Sequence, residues 1–177
     1  MPQLETPRMI LRRWQAEDRE PFARLNGDPA VMEHFPNPLT RQESDDLADR
    51  IEAHFNEHGF GVWATELRAG SSFIGFIGLN ILHFGAAFTP CVEIAWRLAA
   101  EHWGTGLATE GAQAVVRHAF NDLGIPALVS FTVPANRRSR RVMEKLGMTH
   151  DPRDDFDHPL LPEDHPLRRH VLYRLTR

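Results

Sequence analysis

Apolar and polar residues alternate over six stretches of the chain and recur at helical spacing over four others. The strand-like stretches are 8–14, 60–67, 72–82, 91–98, 127–133 and 169–175. The helix-like stretches are 16–26, 40–57, 108–123 and 136–146. In the second helix Leu47, Ile51 and Phe55 recur every four residues on one stripe. In the third, Ala112, Val115, Ala119 and Leu123 make the buried stripe.

Turn-forming residues mark the boundaries. Glu17, Asp18 and Glu20 sit at the positive end of the first helix dipole. Pro36-Asn37-Pro38 is a break, Gly59 stops the second helix, and Ala69-Gly70-Ser71 suits a hairpin turn. Gly124 and Pro126 end the third helix; Asn136 suits the N-cap of the fourth, with Gly147 just past its end. The middle strands follow one another closely and predict an antiparallel meander. The strand–helix–strand run over 91–133 predicts a crossover between parallel neighbours. The expected fold is therefore α+β: a mixed, mostly antiparallel sheet flanked by about four helices.

A length of 177 residues suggests one domain, 1–177, large enough to bury a core without disulfide or metal. The balance of 42% hydrophobic and 25% charged residues is ordinary for a water-soluble domain. A net charge of −4 gives no bulk attraction to nucleic acid or to an anionic membrane. The single cysteine, Cys91, can form no internal disulfide and fits a reducing cytoplasm. It abuts the run Val-Glu-Ile-Ala-Trp, which favours a buried thiol over a nucleophile. MPQLETPRMILRRW carries acids and lacks the apolar stretch of a signal peptide. No window reaches the roughly 20 apolar residues of a membrane span.

The chemistry concentrates in EIAWRLAAEHWGTGLATEGAQ, from Glu93. A strand-like run ends near Leu98, two glycines follow at 104 and 106, and a helix starts almost at once. Backbone N–H groups exposed at such a helix start, with the positive end of the dipole behind them, suit an anion and above all a phosphate. A tight turn needing glycine only for its backbone angles explains the same residues. Gly106 is followed by Leu107 and Ala108, so the Gly-Lys-Ser/Thr ending of a nucleotide triphosphate loop is missing. The position past mid-chain, after a meander, argues against a dinucleotide fingerprint.

WGTGLA at 103–108 resembles the acyl-CoA pyrophosphate loop of the GNAT superfamily of N-acetyltransferases. Trp103 stands where glutamine or arginine is commoner. VPANRRSRRVMEKLGM at 133–148 and the opening ETPRMILRRW resemble the branch of the ribosomal-protein N-terminal acetyltransferases. The three motifs stand in order and at family spacing across nearly the whole chain.

The resemblance implies a sheet of six to seven strands, splayed between the fourth (91–98) and the fifth (127–133), where pantetheine inserts. It implies acetyl-CoA as co-substrate, with pantetheine against Ile94, Trp96, Arg97 and Leu98. The pyrophosphate would lie on Trp103, Gly104, Thr105, Gly106, Leu107, Ala108 and Thr109. Glu93 corresponds to the frequent general base; His83, His34 and Glu33 are alternatives. Asn136 and Ser139 fall where the pantetheine and its sulfur pass. Asn136 and Ser139 also fit a plain helix cap.

Many relatives use a tyrosine as acid, but the one tyrosine here, Tyr173, lies in the last strand and reads as core. Among Arg137, Arg138, Arg140 and Arg141, one contact to the 3′-phosphate is expected. The stretch 150–170 is rich in histidine and acid but lacks zinc spacing, so no metal is expected. In the family such a loop shapes the acceptor site, and Asp154, Asp155 and Asp157 suit a cationic amine. Phe35, Trp63 and Phe84 are aromatic candidates for that pocket.

The implied activity is direct transfer of acetyl to an amine in a ternary complex, with a protein or peptide α-amino group as acceptor. A small-molecule amine is the alternative acceptor. A non-catalytic acyl-CoA-binding regulatory module, and a nucleotide-binding protein using the same turn, are the rivals from other classes. Homodimers occur among similar proteins.

Overall fold

The computed structural model describes residues 3–70 and 72–177. Its elements in chain order are β1 (Leu4–Glu5), β2 (Met9–Arg12), α1 (Arg19–Gly27), α2 (Arg41–His58), β3 (Val62–Leu67), β4 (Ser72–Leu82), β5 (Cys91–Leu98), α3 (Leu107–Asn121), β6 (Ala127–Thr132), α4 (Arg137–Lys145), β7 (Thr149–His150), β8 (Phe156–Asp157) and β9 (Arg169–Thr176). The sheet runs β1-β2-β3-β4-β5-β6-β9-β7, with β8 added on β9. Every described pairing is antiparallel except β5–β6. The fold is the expected mixed sheet flanked by helices.

Period-two alternation on β4 divides the molecule. Phe76 points to one face, where its ring meets Phe22 of α1. Ile77 points to the other, where its Cδ1 fills the space beside Gly111 of α3. Both are buried, and with Ile74, Leu79, Ile94, Ala112 and Val115 they belong to one continuous core. Full burial of such aliphatic and aromatic side chains contributes roughly 1.5–3 kcal/mol each. The helices start and stop where their sequence asks. Thr40 caps α2, bonded to Glu43 in a reciprocal capping box, and Gly59 ends it with φ 76°. Asn136 caps α4 through Oδ1, which accepts from the Ser139 N–H at 3.2 Å.

The structure trims the sequence-predicted elements rather than moving them. The first long strand is Met9–Arg12 instead of 8–14, and the expected helix over 16–26 begins as a 3-10 turn, Ala16–Asp18, before α1. The six long strands of the pattern are present. Three two-residue strands, β1, β7 and β8, are added, too short for any periodicity to show. In the expected hairpin turn, Gly70 takes φ 88°; Ser71 lies outside the described residues.

Candidate active site

Two adjacent strands part inside the sheet. β5 pairs with β4 along its whole length, Cys91 to Leu98. Its other edge meets β6 only at Glu93 and Val129. Beyond Glu93 that edge faces a gap, and the gap opens into a cavity of about 930 Å³. Unladdered backbone N–H and C=O groups must find partners elsewhere. An amide-bearing arm laid along the edge as an extra strand would supply them. Trp103 already closes the far end, its Nε1 donating to the Leu98 carbonyl at 2.8 Å.

At that end the chain turns into α3 through two left-handed glycines, Gly104 at φ 73° and Gly106 at φ 86°. A side chain other than glycine rarely takes such angles. No side chain caps α3, so its first N–H groups face outward. Space around Gly104 is open, with nothing within 4 Å of where a Cβ would stand. Thr105 instead turns back: its hydroxyl donates to the His102 carbonyl at 2.7 Å. Arg8 holds the turn in place. Its Nη1 donates to the Thr105 carbonyl at 2.9 Å, and its Nε to Glu110 at 2.6 Å. Arg138 stacks over the Trp103 ring at 4.7 Å, and Arg137, Arg141 and Lys145 line the same side of the cavity. Uncapped N–H groups, a positive helix end and clustered cations fit a pyrophosphate-bearing ligand such as CoA.

Glu93 lies at the fork itself. It lines the cavity and stays partly open to it, yet burial pushes its carboxyl pKa up to about 8. Such a group can take a proton near neutral pH, as a general base must. Across the gap, Ser139 lines the cavity from the first turn of α4. Asn136 also lines it while its Nδ2 donates to Thr132 Oγ1 at 3.0 Å.

Of the sequence-predicted contacts, Trp96, Arg97, Leu98, Trp103, Gly104, Gly106, Leu107, Ala108, Thr109, Asn136 and Ser139 line the cavity with Glu93. Ile94 and Thr105 do not. The Ile94 side chain is wholly buried in the core, and Thr105 points away as described. His34, Glu33 and Phe35 are in the wall, whereas His83 is not. Trp63 is core, edge-on to Phe55 and His118. Phe84 stands behind the wall, packed on Phe131 and His158. The three aspartates are committed elsewhere: Asp154 to Arg174, Asp155 to His150 and Asp157 to Arg169. Tyr173 is buried, with its hydroxyl accepting from Arg140 at 3.3 Å. Cys91 is outside the wall, and burial, then the Glu93 charge, raise its thiol to about 11. That leaves little thiolate at neutral pH.

Sequence reading missed Arg50, Asn80, Ser130, Phe131, His158 and His170 as wall residues. Ser130 and Phe131 belong to the splayed strand and could have been found from it. His158 and His170 lie in the histidine-rich stretch, but only the fold selects them. Burial lowers the pKa of both imidazoles.

The family pattern described as "Acetyltransferase (GNAT) domain" matches residues 8–149. The chain belongs to the GNAT acetyltransferases. As such it is an acetyl-CoA-dependent N-acetyltransferase. Among curated proteins it is 33% identical over 165 residues to an FsC-acetyl coenzyme A-N(2)-transacetylase of Aspergillus fumigatus. That match takes 84% of this chain and 66% of the fungal protein, which is thus about half as long again as the part matched. It is 29% identical over 148 residues to the N-acetyltransferase YoaA of Bacillus subtilis, covering 82% of each. A solved acetyltransferase of Agrobacterium tumefaciens superposes on it with a TM-score of 0.80 at 29% identity, over 100% of this GNAT chain and 95% of the other. The fold is shared at 13% identity by the CoA complex of RimL, a ribosomal L7/L12 α-N-protein acetyltransferase, with a TM-score of 0.79 over 99% of this chain and 98% of that one.

Proposed function

We propose that residues 1–177 form one N-acetyltransferase domain that moves acetyl directly from acetyl-CoA to a primary amine in a ternary complex. The observation that carries the reading is the fork. A carboxyl poised near neutral pH stands where β5 and β6 part, and an uncapped helix start lies further along the same cavity. Acetyl-CoA brings an activated acetyl thioester. The protein orients it along the open edge of β5 and anchors its phosphates on the backbone N–H groups of 104–109.

Glu93 accepts a proton from the incoming ammonium, directly or through one water, and frees the nitrogen lone pair for attack. Attack forms the C–N bond; as the C–S bond breaks, the second amine proton passes to the departing thiolate, to which Ser139 supplies a hydrogen bond from the opposite wall. Cys91, shielded and outside the cavity, takes no part, so no acyl-enzyme is invoked.

The acceptor we favour is a peptide or protein α-amino group, on the likeness of the 133–148 segment and the opening to ribosomal-protein acetyltransferases. The curated relative of A. fumigatus, an N(2)-transacetylase by name, makes a small-molecule amine the second reading. Incubation with acetyl-CoA and a panel of peptides, amino acids and polyamines, followed by mass spectrometry, tests both. Acetylated amines are expected. A protein that binds acetyl-CoA yet acetylates none of them is a regulatory module instead. Ser139→Ala is expected to lower kcat more than it weakens CoA binding; equal losses would reduce Ser139 to a binding residue.

A further inference from the structure

Among the described residues Arg97 is a cation without a counter-ion. Its side chain shares the face of β5 with Glu93 and Ala95, and all three line the cavity. Nη1 donates to Asn26 Oδ1 at 2.5 Å. Asn26 is itself fixed, fully buried, with Nδ2 on Ser44 Oγ at 2.9 Å. Nε of Arg97 is buried with no hydrogen-bond partner among the described residues. The guanidinium lies over two rings, 4.3 Å from the Phe35 centroid and 5.2 Å from the Phe76 centroid. Among the described residues no carboxylate pairs with it. Burial pulls its pKa down to about 10, so it remains a cation at neutral pH. Arg50, also in the cavity wall, has no ion-pair partner among the described residues either.

Buried charges are as a rule paired, because taking one out of water alone is costly. Other arginines of this protein follow that rule, as Arg12 does with Asp18 and Glu66. Arg97 breaks it at a cavity wall, where an incoming molecule can complete the pair. With Nη1 held by Asn26 and Nε buried, what is left for a ligand is a single charge-assisted contact.

We propose that the acceptor carries a carboxylate as well as its amine, and that Arg97 binds this carboxylate while the amine lies at Glu93. The proposal rests on the transfer reading above. Four residues of strand separate the two Cα atoms by about 13 Å, at roughly 3.3 Å per residue. The Glu93 and Arg97 side chains reach across part of that gap, and the remainder favours an acceptor whose amine and acid stand further apart than the two groups of a free α-amino acid. Extended peptide advances at most about 3.3–3.6 Å per residue, which puts the acid at roughly the second to fourth residue of a peptide acceptor. An ω-amino acid of similar length offers the same chemistry from a small molecule.

Two matched pairs test this with wild type, Arg97→Gln and Arg97→Lys. One is an amidated Ala-Ala-Glu peptide against its Gln counterpart; the other is ε-aminocaproate against hexylamine. Binding to CoA-saturated protein and kcat/KM for transfer are both read as acid-to-neutral ratios, so a general loss of rate or stability in a variant cancels. Wild type is expected to favour the acidic member of at least one pair by about tenfold or more, the worth of one charge-assisted contact. Arg97→Gln is expected to bring the ratio near one, and Arg97→Lys to keep part of it. The pair that responds tells peptide from small molecule. A wild-type ratio near one in both pairs, or a preference that survives Arg97→Gln, overturns the proposal. Arg97-dependent binding of the acid without any acetylation would sink the transfer reading and leave Arg97 as a carboxylate site alone, with no acceptor role.

Discussion

Glu93 shows how one residue can carry an activity and weaken the fold at once. A carboxyl with an ordinary pKa near 4.3 is here raised to about 8 by burial. The folded protein therefore holds this proton more tightly than the unfolded chain does. Its contribution to stability is full below the unfolded pKa and is lost as pH rises toward the folded value near 8. Glu93→Gln mimics the neutral form, so its melting temperature relative to wild type should climb between pH 5 and pH 9. Activity should move the other way. Wild-type kcat/KM is expected to rise with pH through about 8 as the base ionises, and Glu93→Gln to lose both rate and that limb. Parallel pH profiles for the two proteins would remove Glu93 as base. The position of Glu93 was legible in VEIAW, but its burial was not, because the protein around it comes from β4, β6 and the helices.

The elements were legible where local rules act alone. Gly59, Asn136 and Gly147 each mark a helix end that the structure reproduces. The bare pattern predicted a parallel β5–β6 pair but not its parting; only the family likeness implied the splay, since a gap between strands leaves no periodic trace. Close approach between strands is equally silent. Gly75 of β4, at φ 138°, would place a Cβ 2.1 Å from the Arg97 carbonyl oxygen and 2.9 Å from the Leu98 Cα. Both atoms belong to backbone and cannot swing aside. Gly75→Ala should therefore force β4 from β5, costing about 2 kcal/mol or more, with weakened CoA binding as the nearby cavity wall shifts. Chemical denaturation and CoA titration read the two effects. A loss of stability below about 0.5 kcal/mol would show that the strands give way more easily than this geometry allows.

Across the whole molecule, long-range polar ties hold the sheet to the site, and they are invisible to pattern. Arg12 of β2 bonds both oxygens of Asp18, at 2.7 and 2.9 Å, and Glu66 of β3 at 2.7 Å. Asp18 is 2% exposed. Asp18→Ala leaves the largely buried guanidinium with Glu66 as its remaining carboxylate partner and should cost about 1–3 kcal/mol in a denaturation experiment; a near-neutral change would mean the network is solvated. Arg8, just before β2, ties the sheet to the glycine turn and to Glu110 in the helix that follows it. The turn is thus held open by the fold before any ligand arrives. The deciding measurement is a calorimetric titration of acetyl-CoA into wild type and Gly106→Glu, with circular dichroism to verify that the variant is folded. The nearest atom to a Cβ at Gly106 is the tip of Arg8 at 3.5 Å, so the backbone can absorb the change with strain of about 1–2 kcal/mol. A carboxylate there would meet the pyrophosphate head-on. A folded variant whose affinity for acetyl-CoA falls by more than a hundredfold is expected, and a folded variant that binds acetyl-CoA as wild type does would contradict the phosphate site at this turn.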